Sequence, residues 1–162
     1  MNSVLRNLAL ILSLLYSSAL FAEPIALKSF NEQSLKLISK QYAGQPFLMI
    51  LWSLDCPACF DEFELLSHWV QKNPAANLVL ISTDPVSQEV EVKKVLNEYQ
   101  LAKRDNWIFS SQVHVSLRYA IDPNWYGELP RSYFFDQQHT PYAHSGVLSS
   151  EALTKIADLL TN

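Results

Sequence analysis

Phe47–Trp52 (FLMILW) is six apolar residues in a row with no polar break. A run this short and this uniform suits a β-strand buried on both faces. Such a strand needs covering layers above and below its sheet. Leu78–Ser82 (LVLIS) repeats the pattern and is stopped by Asp84-Pro85. Between and after these runs lie stretches with helical spacing. Pro57 to Lys72 places Phe60, Phe63, Leu65, Leu66 and Trp69/Val70 inward. Gln88–Leu101 does so with Val92, Val95, Leu96 and Tyr99, and Ser149–Leu160 with Leu153, Ile156, Leu159 and Leu160 under a Ser149 or Ser150 cap. Asn31–Tyr42 and Val113–Ala120 are shorter helical segments. Ile25–Phe30 and Trp107–Phe109, with Trp107 in the core, are short strands. Arg131–Asp136 and Tyr142–His144 flank a turn at Gln137–His139 and form an antiparallel hairpin. Strands alternating with helices predict an α/β fold with a central mixed sheet covered on both faces.

The chain has 162 residues, enough for one domain with a real core, and 49% are hydrophobic. Its net charge is −4 with the basic residues scattered, so no nucleic-acid footprint is expected. The beginning is set apart. Arg6 precedes the apolar run Leu8–Leu15, followed by Ser17, Ser18, Ala19 and Ala22 before Glu23-Pro24. This is the layout of a secretory signal peptide over residues 1–22, cleaved after Ala22 or, as a second choice, after Ala19. The run falls short of the ~20 residues that a membrane span needs. The remaining domain is residues 23–162, and export places it in the periplasm.

Cys56 and Cys59 are the two cysteines, separated by Pro57 and Ala58. A disulfide between them closes a four-residue loop, where a staple gains little, so the spacing favours redox chemistry over stapling. The pair follows a buried strand and opens a helix. Pro57 suits the first helical turn, and the free N–H groups there stabilise a thiolate at Cys56. Cys59, three residues on, lies over the same face. Cys56 is then the accessible nucleophile and Cys59 the buried resolving thiol. Asp55 opposes this arrangement, because an anion beside Cys56 disfavours its thiolate and biases the pair toward electron donation. A metal site is the alternative: copper or another metal held by both cysteines with His139 or His144, the other histidines being His68 and His114. Phe60 follows the second cysteine, so this is not a haem-attachment motif.

The stretch LMILWSLDCPACFDEF resembles the thioredoxin-fold exported thiol-disulfide oxidoreductases, specifically the TlpA/ResA-like (redoxin/AhpC-TSA-related) branch. Trp52 matches the strand-end tryptophan. Cys56/Cys59 match the redox pair, and Glu62-Phe63 the glutamate and aromatic that follow it. Gly127-Glu128-Leu129-Pro130 ahead of the Arg131–Asp136 strand resembles the family's G-x-P segment. The resemblance implies a thioredoxin-like fold with a central insertion and a cis peptide bond at Leu129-Pro130. It also implies a proline that packs on the disulfide and a Glu62 placed near the thiols. No cofactor is implied. The implied partners are disulfide-bearing exported proteins and a membrane electron donor. Trp125 and Tyr126, with Leu129, could form a lip for substrate peptide. Three departures stand out. The buried acid that thioredoxin keeps on the strand before its site is here Ile50. The tryptophan usual before the first cysteine is Asp55, and the residue before the cis-proline is Leu129.

Overall fold

A computed structural model describes residues 25–110 and 114–161. The signal-peptide reading, with both cleavage choices, lies outside the described residues, as does Val113. In chain order the elements are β1 (Leu27–Phe30), α1 (Ser34–Gln41), β2 (Phe47–Trp52), α2 (Pro57–Lys72), β3 (Leu78–Pro85), a 3-10 turn (Val86–Gln88), α3 (Glu89–Glu98), β4 (Asp105–Phe109), α4 (His114–Ile121), β5 (Arg131–Phe135), β6 (Pro141–Ser145) and α5 (Ser150–Thr161). The six strands form one sheet in the order β1-β4-β3-β2-β5-β6. β1, β4, β3 and β2 are parallel, and β5 and β6 add on antiparallel. The mixed α/β expectation holds.

Every residue of β2 is buried, because the strand is central and both faces are covered. On one face Leu48, Ile50 and Trp52 join Phe63, Leu66 and Trp69 of α2, Val92 and Leu96 of α3, and Leu153 and Ile156 of α5. On the other, Phe47, Met49 and Leu51 meet Phe30, Ile38 of α1, Leu117 of α4 and Trp107. The Trp69 indole N–H donates to the Leu153 carbonyl at 2.9 Å, which ties α2 to α5. Fully burying one such Leu, Ile or Phe contributes about 1.5–3 kcal/mol, so this double-sided core is the main source of stability.

Several boundaries differ from expectation for local reasons. Helix α1 starts at Ser34 rather than Asn31, because the Asn31 side chain accepts from Gln33 N–H and Ser34 Oγ–H and holds a turn there. Within α1, Ile38 is buried while Leu37 is exposed. Helix α3 ends before Leu101 in a Schellman turn: Gln100 takes φ +59, its N–H bonds the Asn97 carbonyl, and Leu101 N–H reaches the Leu96 carbonyl. Strand β3 runs past Ser82 to Pro85, with its register against β4 shifting between those two residues. Helix α2 starts and stops where its sequence signals stand, with Asn73 closing it through Nδ2–H to the Trp69 carbonyl. Ser149 caps α5 through Oγ, which accepts from Ala152 N–H at 3.1 Å.

Candidate active site

The sheet register brings the site together. Trp52, the last residue of β2, pairs with Ser82 of β3, and Leu51 pairs with Arg131 at the start of β5. Ser53–Cys56, Thr83–Pro85 and Pro130 therefore stand at one end of the sheet, though far apart in sequence.

Cys56 is the N-cap of α2, in extended conformation, and Pro57 occupies the first helical position. Cys59 N–H donates both to the Cys56 carbonyl at 3.0 Å and to Cys56 Sγ at 3.2 Å. The two cysteines form a disulfide with S–S 2.07 Å. Cys56 is 8% exposed and Cys59 is at 0%, so the first sulfur is the one a substrate can reach. A thiolate formed at Cys56 would keep the Cys59 N–H and the dipole of a 16-residue helix.

Glu62 lies one turn beyond Cys59 on the same face of α2, and it too is fully buried. Its Oε1 accepts from Leu148 N–H at 3.1 Å and from Ser132 Oγ–H at 3.5 Å. Its Oε2 is buried with no hydrogen-bond partner among the described residues. Burial pushes the Glu62 carboxyl up to about 7, and the two donors pull back only in part. The group can therefore give or take a proton near neutral pH.

The Leu129-Pro130 peptide is cis and Pro130 is buried. Leu129 is half-buried and packs against the core cluster that contains Cys56 and Cys59. The segment leading to it is tied down from several sides. The Arg131 guanidinium reaches Asp122 and Glu128, each at 3.2 Å, and Tyr133 O–H donates to the same Asp122 carboxylate. Gly146 N–H donates to the Pro130 carbonyl. Gly127 sits at φ +103, and a Cβ there would stand 3.1 Å from the Arg118 guanidinium. That explains the glycine of this motif.

Trp125 is not part of an aromatic lip. It is 4% exposed, packs in the core on the α1/α4 side, and its indole N–H donates to the Glu128 carbonyl at 2.9 Å. Its role is to anchor the loop ahead of Pro130. Tyr126, the next residue, is 89% exposed and remains available to a partner. Asp55 is exposed, and its backbone N–H donates to Ser53 Oγ.

His68, His139 and His144 do not assemble a metal site with the cysteines. His139 Nε2 is 3.1 Å from the Tyr42 carbonyl and stacks edge-on against Phe47, at the opposite end of the sheet. His144 pairs with Ser132 across β5–β6, and its Nε2 lies 3.4 Å from the Val147 carbonyl. His68 is exposed on α2. Among the described residues, no group of three or more His, Cys, Asp or Glu side chains could hold a metal ion.

One feature of the site was not read from the sequence. Asp84, read there only as a strand stop, is buried and accepts hydrogen bonds from Ser53 Oγ–H, Leu54 N–H and Ser82 Oγ–H. The Asp-Pro dipeptide is an ordinary turn signal, and nothing local distinguishes it from a carboxylate aimed back at a neighbouring strand's exit loop.

No protein-family model matches the chain. No curated protein matches it. Solved structures do. A secreted disulfide oxidoreductase of Mycobacterium tuberculosis superposes with TM-score 0.60 at 20% identity, over 74% of this chain and 84% of that one. A thioredoxin-family thiol:disulfide interchange protein of Chlorobium tepidum gives TM-score 0.59 at 14% identity, over 76% and 85%. A secreted thiol-disulfide isomerase of Corynebacterium glutamicum gives 0.60 at 17%, over 76% and 75%. At these identities the likeness is one of architecture, and with a mixed six-stranded sheet, flanking helices and a Cys-Pro-Ala-Cys helix start opposite a cis-proline, the chain has a thioredoxin-like fold.

Proposed function

We propose that the protein is an exported, periplasmic thiol-disulfide oxidoreductase of the TlpA/ResA-like type, reducing or isomerising disulfides in other exported proteins. The observation that carries this reading is the Cys56–Cys59 disulfide at the N-terminus of α2, with the outer sulfur reachable and the inner one sealed. The activities of the three neighbours lend support. In the reduced protein the Cys56 thiolate attacks one sulfur of a substrate disulfide, forming a mixed disulfide and releasing the other sulfur as a thiolate that takes up a proton. Cys59 then gives its proton to the Glu62 carboxylate and attacks Cys56 Sγ, expelling the second substrate thiol. Two electrons pass to the substrate and the pair ends as a disulfide. A membrane dithiol donor resets it. Leu129 and Tyr126 form the apolar rim against which a substrate peptide rests.

The donor direction rests on electrostatics. The buried Glu62 carboxylate, one turn beyond Cys59, disfavours a second negative charge at the pair and so stabilises the disulfide over the dithiol, while the exposed Asp55 adds little because water screens it. The test is the reduction potential of the pair in glutathione or dithiothreitol buffers. It is expected nearer the roughly −270 mV of thioredoxin than the roughly −120 mV of a strong thiol oxidant. A value at the oxidising end overturns the donor direction.

A further inference from the structure

Taking the oxidoreductase reading as its basis, we propose that Asp84 is a positioning residue that sets the redox balance of the Cys56–Cys59 pair, by fixing the Ser53–Asp55 turn and drawing its hydrogen-bond donors away from Cys56. Asp84 is 4% exposed, at the end of β3. Its Oδ1 accepts from Ser53 Oγ–H at 2.7 Å, and its Oδ2 accepts from Leu54 N–H at 3.0 Å and Ser82 Oγ–H at 2.6 Å. Ser82 Oγ in turn accepts Asp84 N–H at 3.0 Å, which locks the carboxylate's own backbone. From this anchor the chain of contacts leads straight to the nucleophile. The Ser53 carbonyl accepts Cys56 N–H at 3.2 Å, and Ser53 Oγ accepts Asp55 N–H.

Two consequences follow. The position of Cys56 relative to the sheet is set through Ser53 and Leu54, both held by Asp84. Ser53 Oγ–H and Leu54 N–H donate to Asp84, Asp55 N–H and Cys56 N–H are taken up by Ser53, and Cys59 N–H is the donor that faces Cys56 Sγ. A carboxylate shielded from water also acts through a lower effective dielectric than one at the surface. Asp55, beside Cys56 in sequence but facing solvent, is screened. Of the two aspartates, the one 28 residues away in sequence, acting through Ser53 and Leu54, then bears on the thiolate more than its neighbour does.

The test uses the full chain and four variants: Asp84→Asn, Asp84→Ser, Asp84→Ala and Asp55→Ala. The oxidised fraction is measured in glutathione redox buffers, and the pH midpoint of Cys56 alkylation by iodoacetamide in the reduced protein. Asparagine keeps an acceptor for Leu54 N–H without the charge, and serine removes the charge with a hydroxyl one bond shorter. Each is expected to shift the exchange equilibrium about tenfold toward the dithiol, equivalent to about 30 mV less negative, and to move the alkylation midpoint to lower pH. Asp84→Ala follows the same direction with a larger loss of thermal stability, and Asp55→Ala shifts less than any of them. A merely structural role for Asp84 would lower the melting temperature and leave both readouts in place. Either uncharged polar variant, folded by circular dichroism yet unchanged in both, overturns the proposal, as does a larger shift from Asp55→Ala. A wild-type pair that never exchanges with glutathione overturns the oxidoreductase reading and this proposal together, whereas exchange with unshifted variants overturns this proposal alone.

Discussion

Cys56→Ser is expected to bring disulfide reduction down to the uncatalysed background, a loss of about a thousandfold or more. A serine hydroxyl at the α2 N-cap has no accessible anionic form near neutral pH, so the first step of exchange has no nucleophile. The fold is expected to survive. Serine is itself a favourable N-cap. The four-residue disulfide loop contributes no more than about 2 kcal/mol in the chain-entropy picture. Cys59→Ser produces a different phenotype. Cys56 still attacks, but Cys59 can no longer expel the substrate, so the mixed disulfide accumulates. The pair of outcomes is read by turnover of insulin or another disulfide substrate, and by non-reducing electrophoresis with mass analysis of the trapped adducts. The burial of Cys59 beside the slightly exposed Cys56 is the basis of these two expected phenotypes. Wild-type turnover in Cys56→Ser, or adducts on Cys56→Ser instead of Cys59→Ser, would sink the assignment.

Glu62→Gln is expected to remove two pH dependences at once. Folding lifts this carboxyl from its ordinary value of 4.5 to about 7, so the folded chain holds the proton more tightly than the unfolded chain. The stabilisation is complete below pH 4.5 and is lost as pH rises through 7, amounting to about 3 kcal/mol over the window. Denaturant unfolding from pH 4 to pH 9 is expected to show this decline in the wild type and a flatter profile in Glu62→Gln. Kinetically, release of the second substrate thiol needs Cys59 to lose its proton in a site sealed from water. Loss of the Glu62 acceptor is expected to slow that step about a hundredfold. The wild-type rate should rise with an inflection near pH 7, and that inflection should vanish in the variant. A rate profile identical in both proteins would assign Glu62 to structure alone, as the partner of Leu148 N–H and Ser132.

The order of the elements was readable because its causes are local. An unbroken apolar run has to be a doubly covered strand, and Cys-Pro-Ala-Cys after it begins a helix because proline tolerates the first turn and cysteine can cap it. Helix α2 ends at Lys72 as its periodicity indicates. Boundaries slipped where a side chain redirected the backbone: Asn31 delayed α1, and Gln100 ended α3 without a glycine.

Position in sequence was a poor guide to which acid or aromatic belongs to the site. Trp125 and Tyr126 are consecutive, yet one is core and the other solvent-facing, because Glu128's carbonyl and the α1/α4 layer receive only the indole. Asp55 touches Cys56 in sequence and faces water, while Asp84 and Glu62 arrive buried. The sequence by itself determined the strands, the helix starts and the cysteine pair, since propensity, periodicity and capping act over a few residues. Only the tertiary structure decided how charge is distributed around that pair. Burial and hydrogen-bond supply depend on what β3, β5 and the chain at Leu148 bring in from elsewhere, and these set whether a carboxylate is screened, protonated or held against the nucleophile's own turn.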